Sequence, residues 1–186
     1  DELVYIIANG WKENGDLKSN TVVGTKMTNL GVRLAFSEIG VRFIEADVGD
    51  RNVMDQLIEN KAELGGEGSG HIICLNKSTS GDGIIAALQV LEVMSKSGKS
   101  LLELKSVMKK YPQVLINVRT ETKINLQSDK KLTQAIDKIE SKLADNGRIL
   151  VRESGTEPLI RVMVESAHYD LAKNSAEELA EIIKSM

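Results

Sequence analysis

The sequence predicts an α/β domain followed by an α+β domain. The first is a three-layer α/β/α unit with a small mixed sheet over residues 15–110. The second is a smaller βαββα unit over residues 111–186, with its helices on one face of an antiparallel sheet. Three observations carry this. β-branched runs at Thr21 to Met27 and Val41 to Ala46 flank a helix-period segment, Leu30 to Ile39, which makes a βαβ unit and therefore a parallel strand pair. Tyr111-Pro112 breaks the pattern, because a proline disfavours helix at the residue before it. Finally, two apolar runs, Arg148 to Val151 and Leu159 to Val164, enclose a polar loop as in a hairpin and precede a helix-period tail.

Residues 1–14 carry Leu3, Val4, Ile6, Ile7 and Trp11 on one side of an amphipathic helix, which is assigned as the terminal helix of a missing preceding domain. In Leu30 to Ile39, Val32, Ala35, Phe36 and Ile39 share a face. After the strand ending at Ala46, the turn Asp47 to Arg51 leads into a helix bearing Met54, Leu57 and Ile58, with Asp50 as its expected cap. Glu63 to Leu75 reads as a third strand interrupted at Gly65 to His71. Asp82 should cap an apolar helix lying flat on the sheet through Ile84, Ile85, Leu88, Leu91 and Met94, and a short helix follows from Leu101 to Lys109. In the second unit the expected order is a strand at Val114 to Val118, a helix at Asp129 to Leu143, the hairpin, and a last helix at Tyr169 to Lys184. That last helix buries Ala172, Ala176, Leu179 and Ile183.

Composition narrows the function classes. With 186 residues and 41% hydrophobic content the chain can bury a sizeable core, and its formal net charge of −3 without a Lys/Arg block excludes a surface that tracks nucleic acid. No apolar run reaches the roughly 18 residues of a spanning helix. A single cysteine, Cys74, sits in an apolar run and reads as a buried, inert thiol in a reducing, cytoplasmic setting. There is no internal repeat and no metal-ligand spacing.

Two loops carry chemistry. In Arg152 to Glu165, Arg152 and Arg161 converge with the hydroxyls of Ser154 and Thr156 and the backbone of Gly155, the parts of a phosphate cradle. The plainer reading is a surface hairpin whose arginines pair with Glu153, Glu157 and Glu165. The second loop, Leu64 to His71, alternates Glu67, Ser69 and His71 with glycines, placing a carboxylate, a hydroxyl and an imidazole where sugar hydroxyls could bind. Its plainer reading is a polar turn. The GxGxG spacing is followed by an apolar strand and not a helix, so it fails as a dinucleotide fingerprint.

Four stretches in order, TVVGTKMTNLG (21–31), ADVGDR (46–51), LGGEGSGH (64–71) and RESGTEPLIRVMVE (152–165), resemble the C-terminal half of the α-D-phosphohexomutases. Glycine after Ser154 resembles the bacterial phosphoglucosamine mutase branch more than the phosphomannomutase/phosphoglucomutase branch, where asparagine is usual. The resemblance implies the end of the family's second domain, then its third and fourth. It implies sugar contacts by Glu67 and Ser69, and His71 near the reacting end as substrate contact or acid/base. It also implies a phosphate grip by Arg152, Ser154, Gly155, Thr156 and Arg161, and a third substrate-facing loop at Gly49, Asp50 and Arg51.

For the full-length parent the resemblance implies a cytoplasmic isomerase interconverting glucosamine 6-phosphate and glucosamine 1-phosphate on the route to cell-wall precursors. The reaction would pass through glucosamine 1,6-bisphosphate and use Mg²⁺. The family's phosphoserine and its aspartate-rich metal loop do not occur in this sequence. The chain alone should therefore be inactive and should need the missing N-terminal domains; a homodimer is compatible. A non-catalytic phosphosugar or phospho-ligand binding module, or a related phosphomannomutase/phosphoglucomutase, is the alternative. Two departures stand out: Gly68 replaces a larger residue of the family's loop, and Glu153 puts a carboxylate beside the presumed phosphate grip.

Overall fold

The computed structural model describes residues 1–120, 126, 129–154 and 157–186. These divide into two compact units, Asp1–Lys110 and Tyr111–Met186.

In the first unit, β1 (Thr21–Thr25) pairs in parallel with β2 (Arg42–Ala46) across helix α2 (Leu30–Glu38), and in parallel with β3 (Leu64–Gly66); β4 (Ile72–Cys74) runs antiparallel to β3. The strand order is β2-β1-β3-β4, a mixed sheet. Alternation along the strands sends Val22 and Val23, like Cys74 and Ile73, to opposite faces. Val22, Leu64, Ile72 and Cys74 pack with α2 and with helices α1 (Glu2–Asn14), α4 (Gly83–Ser97) and α5 (Leu101–Ser106). Val23, Ala46 and Ile73 pack against Val53 and Leu57 of α3 (Asp50–Glu59) on the other face. This makes three layers.

Four expectations change. The helix assigned to a preceding domain is part of this core: Val4, Tyr5, Ile6, Ile7, Ala8 and Trp11 are all buried in it, and a Cβ on Gly10 would lie 2.3 Å from Val93 Cγ2 of α4. The indole Nε1 of Trp11 donates to Gln89 Oε1 at 3.2 Å, which satisfies both buried groups. Glu63 to Leu75 is not one interrupted strand; the glycine loop reverses the chain, so its two ends pair with each other. Helix α4 buries Ala86, Gln89, Val90 and Val93, and leaves Ile84, Leu88 and Leu91 at 75%, 54% and 55% exposure. It is apolar nearly all round, so periodicity could not choose its inner face, and the face with the smaller side chains meets α1. In α3, Gly49 is the N-cap and Asp50 falls inside the first turn, while Ile58 is exposed. The caps at Asp82 and Asp129 do form, each carboxylate accepting backbone N–H bonds.

The second unit is a three-stranded antiparallel sheet, β5 (Gln113–Arg119), β7 (Leu159–Ser166) and β6 (Gly147–Glu153), in the order β5-β7-β6. Helices α6 (Lys130–Leu143) and α7 (Tyr169–Lys184) cover one face through Leu132, Ile139, Leu143, Ala172, Ala176, Leu179 and Ile183, against Val118, Ile160, Val162 and Val164. Among the described residues, no helix is long and apolar enough to cross a membrane.

Candidate functional site

In the first unit the glycine loop forms a tight turn and not an extended rim. Glu67 N donates to His71 O at 3.0 Å and Gly70 N to Glu67 O at 3.1 Å. This curvature gathers the three polar side chains: Ser69 Oγ donates to Glu67 Oε1 and lies 3.0 Å from His71 Nδ1, which is itself 3.3 Å from Glu67 Oε1. Glu67 is the anchor, its side chain 11% exposed against 55% for His71. Its other oxygen, Oε2, accepts from Gly49 N at 3.1 Å. That bond joins the loop of residues 46–51 to the glycine loop, a link no sequence signal announces because it spans 18 residues and uses a backbone donor. Asp50 Oδ1 accepts from Arg51 N at 2.8 Å, while the exposed Arg51 side chain pairs with no carboxylate among the described residues.

The glycines of this turn are not equivalent. Gly70 sits at φ +102, where an L side chain is strained by about 1–3 kcal/mol. Gly68 lies outside the positive-φ region, and a Cβ there would meet nothing nearer than Asp1 Oδ1 at 4.0 Å. We expect Gly68→Gln to leave urea stability within about 0.5 kcal/mol and to hold or improve sugar-phosphate binding, because the unfolded chain loses freedom. Gly70→Gln should lower stability measurably in the same titration; equal behaviour of the two variants would contradict this backbone assignment.

In the second unit both arginines lie on strands, beyond the loop. Arg152 on β6 is directly opposite Arg161 on β7, and Asn117 on β5 is opposite Arg161 on the other side. Two rows along, Arg148 occupies the same arrangement opposite Glu165, and there the pair is complete: Arg148 Nε donates to the fully buried Glu165, which also accepts from Gln113 Nε2 at 3.1 Å. The Arg152–Arg161 row has no such carboxylate between its members. Both Nε atoms are buried without a hydrogen bond. Arg161 reaches Glu157 only at 3.5 Å, and Arg152 NH1 donates to its neighbour's carbonyl, Glu153 O, at 3.3 Å. Burial, and then the facing Arg161 charge, lower the Arg152 pKa from its usual range. Like charges directly opposite are destabilising, so an anion placed between these two guanidiniums would relieve the pair.

Strand alternation answers the concern over Glu153. Val151 packs toward the helix core, so Arg152 faces away from it and Glu153 returns to the Val151 side. Ser154 N donates to Leu159 O at 2.9 Å, closing the base of the loop. Gly155 and Thr156 lie outside the described residues. Of the three carboxylates in the plainer hairpin reading, Glu165 is committed to Arg148, Glu153 faces away, and Glu157 is 58% exposed. Among the described residues there is no group of three or more His, Cys, Asp or Glu able to hold a metal ion. Burial pushes the Cys74 thiol up to about 11, which makes it a poor nucleophile.

Comparison with known proteins covers almost the whole chain. Residues 1–111 match the family model for phosphoglucomutase/phosphomannomutase, alpha/beta/alpha domain III, and residues 115–182 match the model for its C-terminal domain. A phosphoglucosamine mutase from Ruthia magnifica subsp. Calyptogena magnifica is 58% identical over 184 residues, covering 99% of this chain and 42% of the relative. One from Methylococcus capsulatus is 50% identical, covering 97% of this chain and 40% of the relative. The chain thus spans about two fifths of the length of the curated relatives it matches. Among solved structures, Aspergillus fumigatus N-acetylphosphoglucosamine mutase in complex with GlcNAc-6P and magnesium superposes with a TM-score of 0.83 at 18% identity, over 100% of this chain and 43% of that one. A phosphoglucomutase/phosphomannomutase family protein from Burkholderia thailandensis gives 0.71 at 16% identity, over 99% and 41%. At these identities the structures establish the fold.

Proposed function

Because the chain belongs to the phosphoglucomutase/phosphomannomutase family, we propose that it is the substrate-gripping C-terminal part of a phosphoglucosamine mutase, interconverting glucosamine 6-phosphate and glucosamine 1-phosphate through a bisphosphate. The observation that carries this reading is the Arg152–Arg161 row, two guanidiniums face to face with both Nε atoms buried and unbonded, two rows from a paired Arg148–Glu165 row on the same face. A phosphate dianion between two guanidiniums removes their repulsion and fills the donors left open, each charge-assisted bond contributing roughly 1.5–3 kcal/mol. Ser154, Gly155 and Thr156 complete the grip in this reading.

Glu67, Ser69 and His71 face the sugar. Their hydrogen bonds are mutual, so each can exchange a protein partner for a hydroxyl without leaving a group unsatisfied, which suits a substrate that reorients between two transfers. Gly49, Asp50 and Arg51 form the third contact, held in register by the Gly49–Glu67 bond. Mg²⁺, in the family's chemistry, neutralises charge on the transferred phosphoryl group. Its ligands and the phosphoserine are assigned to the preceding part of the parent. This chain's residues therefore position the substrate and store no phosphoryl group. A cytoplasmic setting agrees with a buried, reduced Cys74.

The test uses the 186-residue chain with glucosamine 6-phosphate, Mg²⁺ and a bisphosphate primer. We expect no turnover, together with saturable binding at a Kd near or above about 1 mM, or roughly −4 kcal/mol. Glucosamine without phosphate should not compete. Turnover abolished by a serine substitution in this chain would place the nucleophile here and overturn the reading.

A further inference from the structure

Helix α4 carries an outward stripe of Ile84, Ala87, Leu88 and Leu91, ending at Ser95, with no charged residue in it. The neighbouring charges Glu92 and Lys96 neutralise each other at 2.6 Å. The segment that follows adds Leu101, Leu102 and Val107 at 43%, 75% and 64% exposure. Exposed single leucines are ordinary, but six large apolar side chains turned out from one 24-residue stretch are a local concentration of exposed apolar surface. Helices α4 and α5 both pack on α1.

We propose that this face is the docking surface for the polypeptide that precedes this region in the longer parent. Two observations select that occupant. The relatives extend well beyond this match, which covers 42% and 40% of their length, and since the second unit matches the family's C-terminal domain, the remainder comes before it. The end of the stretch that follows α5 also lies close to the start of this region: Lys110 reaches Glu2 at the start of α1 at 3.3 Å. A segment joined there is held at high effective concentration, so a modest uncharged stripe suffices to dock it. An intermolecular partner would need a larger patch or charge complementarity, and the α4 stripe has no charge to offer, while the exposed charges beside Leu101 and Leu102 are of both signs.

Thiol labelling tests this with Leu88→Cys and Leu102→Cys, made in the 186-residue chain and in the longer parent, each rate normalised to that of the same variant in denaturant. The native Cys74 is buried and contributes little background. We expect both cysteines to react freely in the 186-residue chain and at least about tenfold more slowly in the parent, because a docked segment must open first. Equal fast rates in the two proteins would overturn the proposal. So would slowing already present in the 186-residue chain: if it grows with concentration, a second copy is the occupant. A gene in which nothing precedes these 186 residues would overturn it outright.

Discussion

Replacing Arg152 with methionine should lower kcat/KM of the parent enzyme at least about 100-fold, since two lost charge-assisted bonds at roughly 1.5–3 kcal/mol each amount to a factor of that order or more. The same change should hold or raise the stability of the isolated chain. Arg152 and Arg161 face each other across β6 and β7 with buried, unpartnered Nε atoms, so removing one relieves repulsion worth about 0.2–1 kcal/mol for a cross-strand pair. Arg152→Lys should be nearly as inactive as the methionine variant, because an ammonium cannot reproduce the planar fork. Steady-state kinetics and urea unfolding measured on the same variants check both halves. A methionine variant that is fully active, or inactive only because it unfolds, would mean the pair is structural. Arg148→Met supplies the contrast: it removes the guanidinium from the buried Glu165 and should destabilise by about 3–5 kcal/mol.

Deleting residues 1–14 should unfold the first unit and leave the second intact. If this helix closed a preceding domain, its removal would be neutral. It instead contributes six buried apolar residues to the core under β1, β3 and β4, five of them large and each of those worth about 1.5–3 kcal/mol, a sum comparable with the usual 5–15 kcal/mol stability of a domain. The second unit has its own core cluster among the described residues of 114–183, so its signals should persist in an amide NMR spectrum. Trp11→Ala is the gentler version, expected to cost about 3–5 kcal/mol, and it also deprives Gln89 of its buried partner. A deletion variant whose first-unit resonances stay dispersed would refute this account of the core.

The same helix marks the limit of what could be read from the chain. Its amphipathic pattern was plain, but a pattern states that a face needs a partner without saying which. The chain of residues 1–186 determined its local choices well: a βαβ unit at 21–46, carboxylate caps at Asp82 and Asp129, and a last helix at Tyr169–Lys184 with its buried stripe. These depend on periods of two or 3.6 residues and on bonds a few residues long, which a linear sequence displays. Tertiary structure decided the rest. It chose the Ala86–Val90–Val93 face of α4, because that side lets α1 approach, and it turned the ends of the glycine loop back on each other. It aligned Arg152 with Arg161 two rows from a compensated pair, and tied Gly49 to Glu67. Register and helix facing are settled by contacts between segments far apart in sequence, where a shift of one residue reverses every side chain, so no local pattern can contain them.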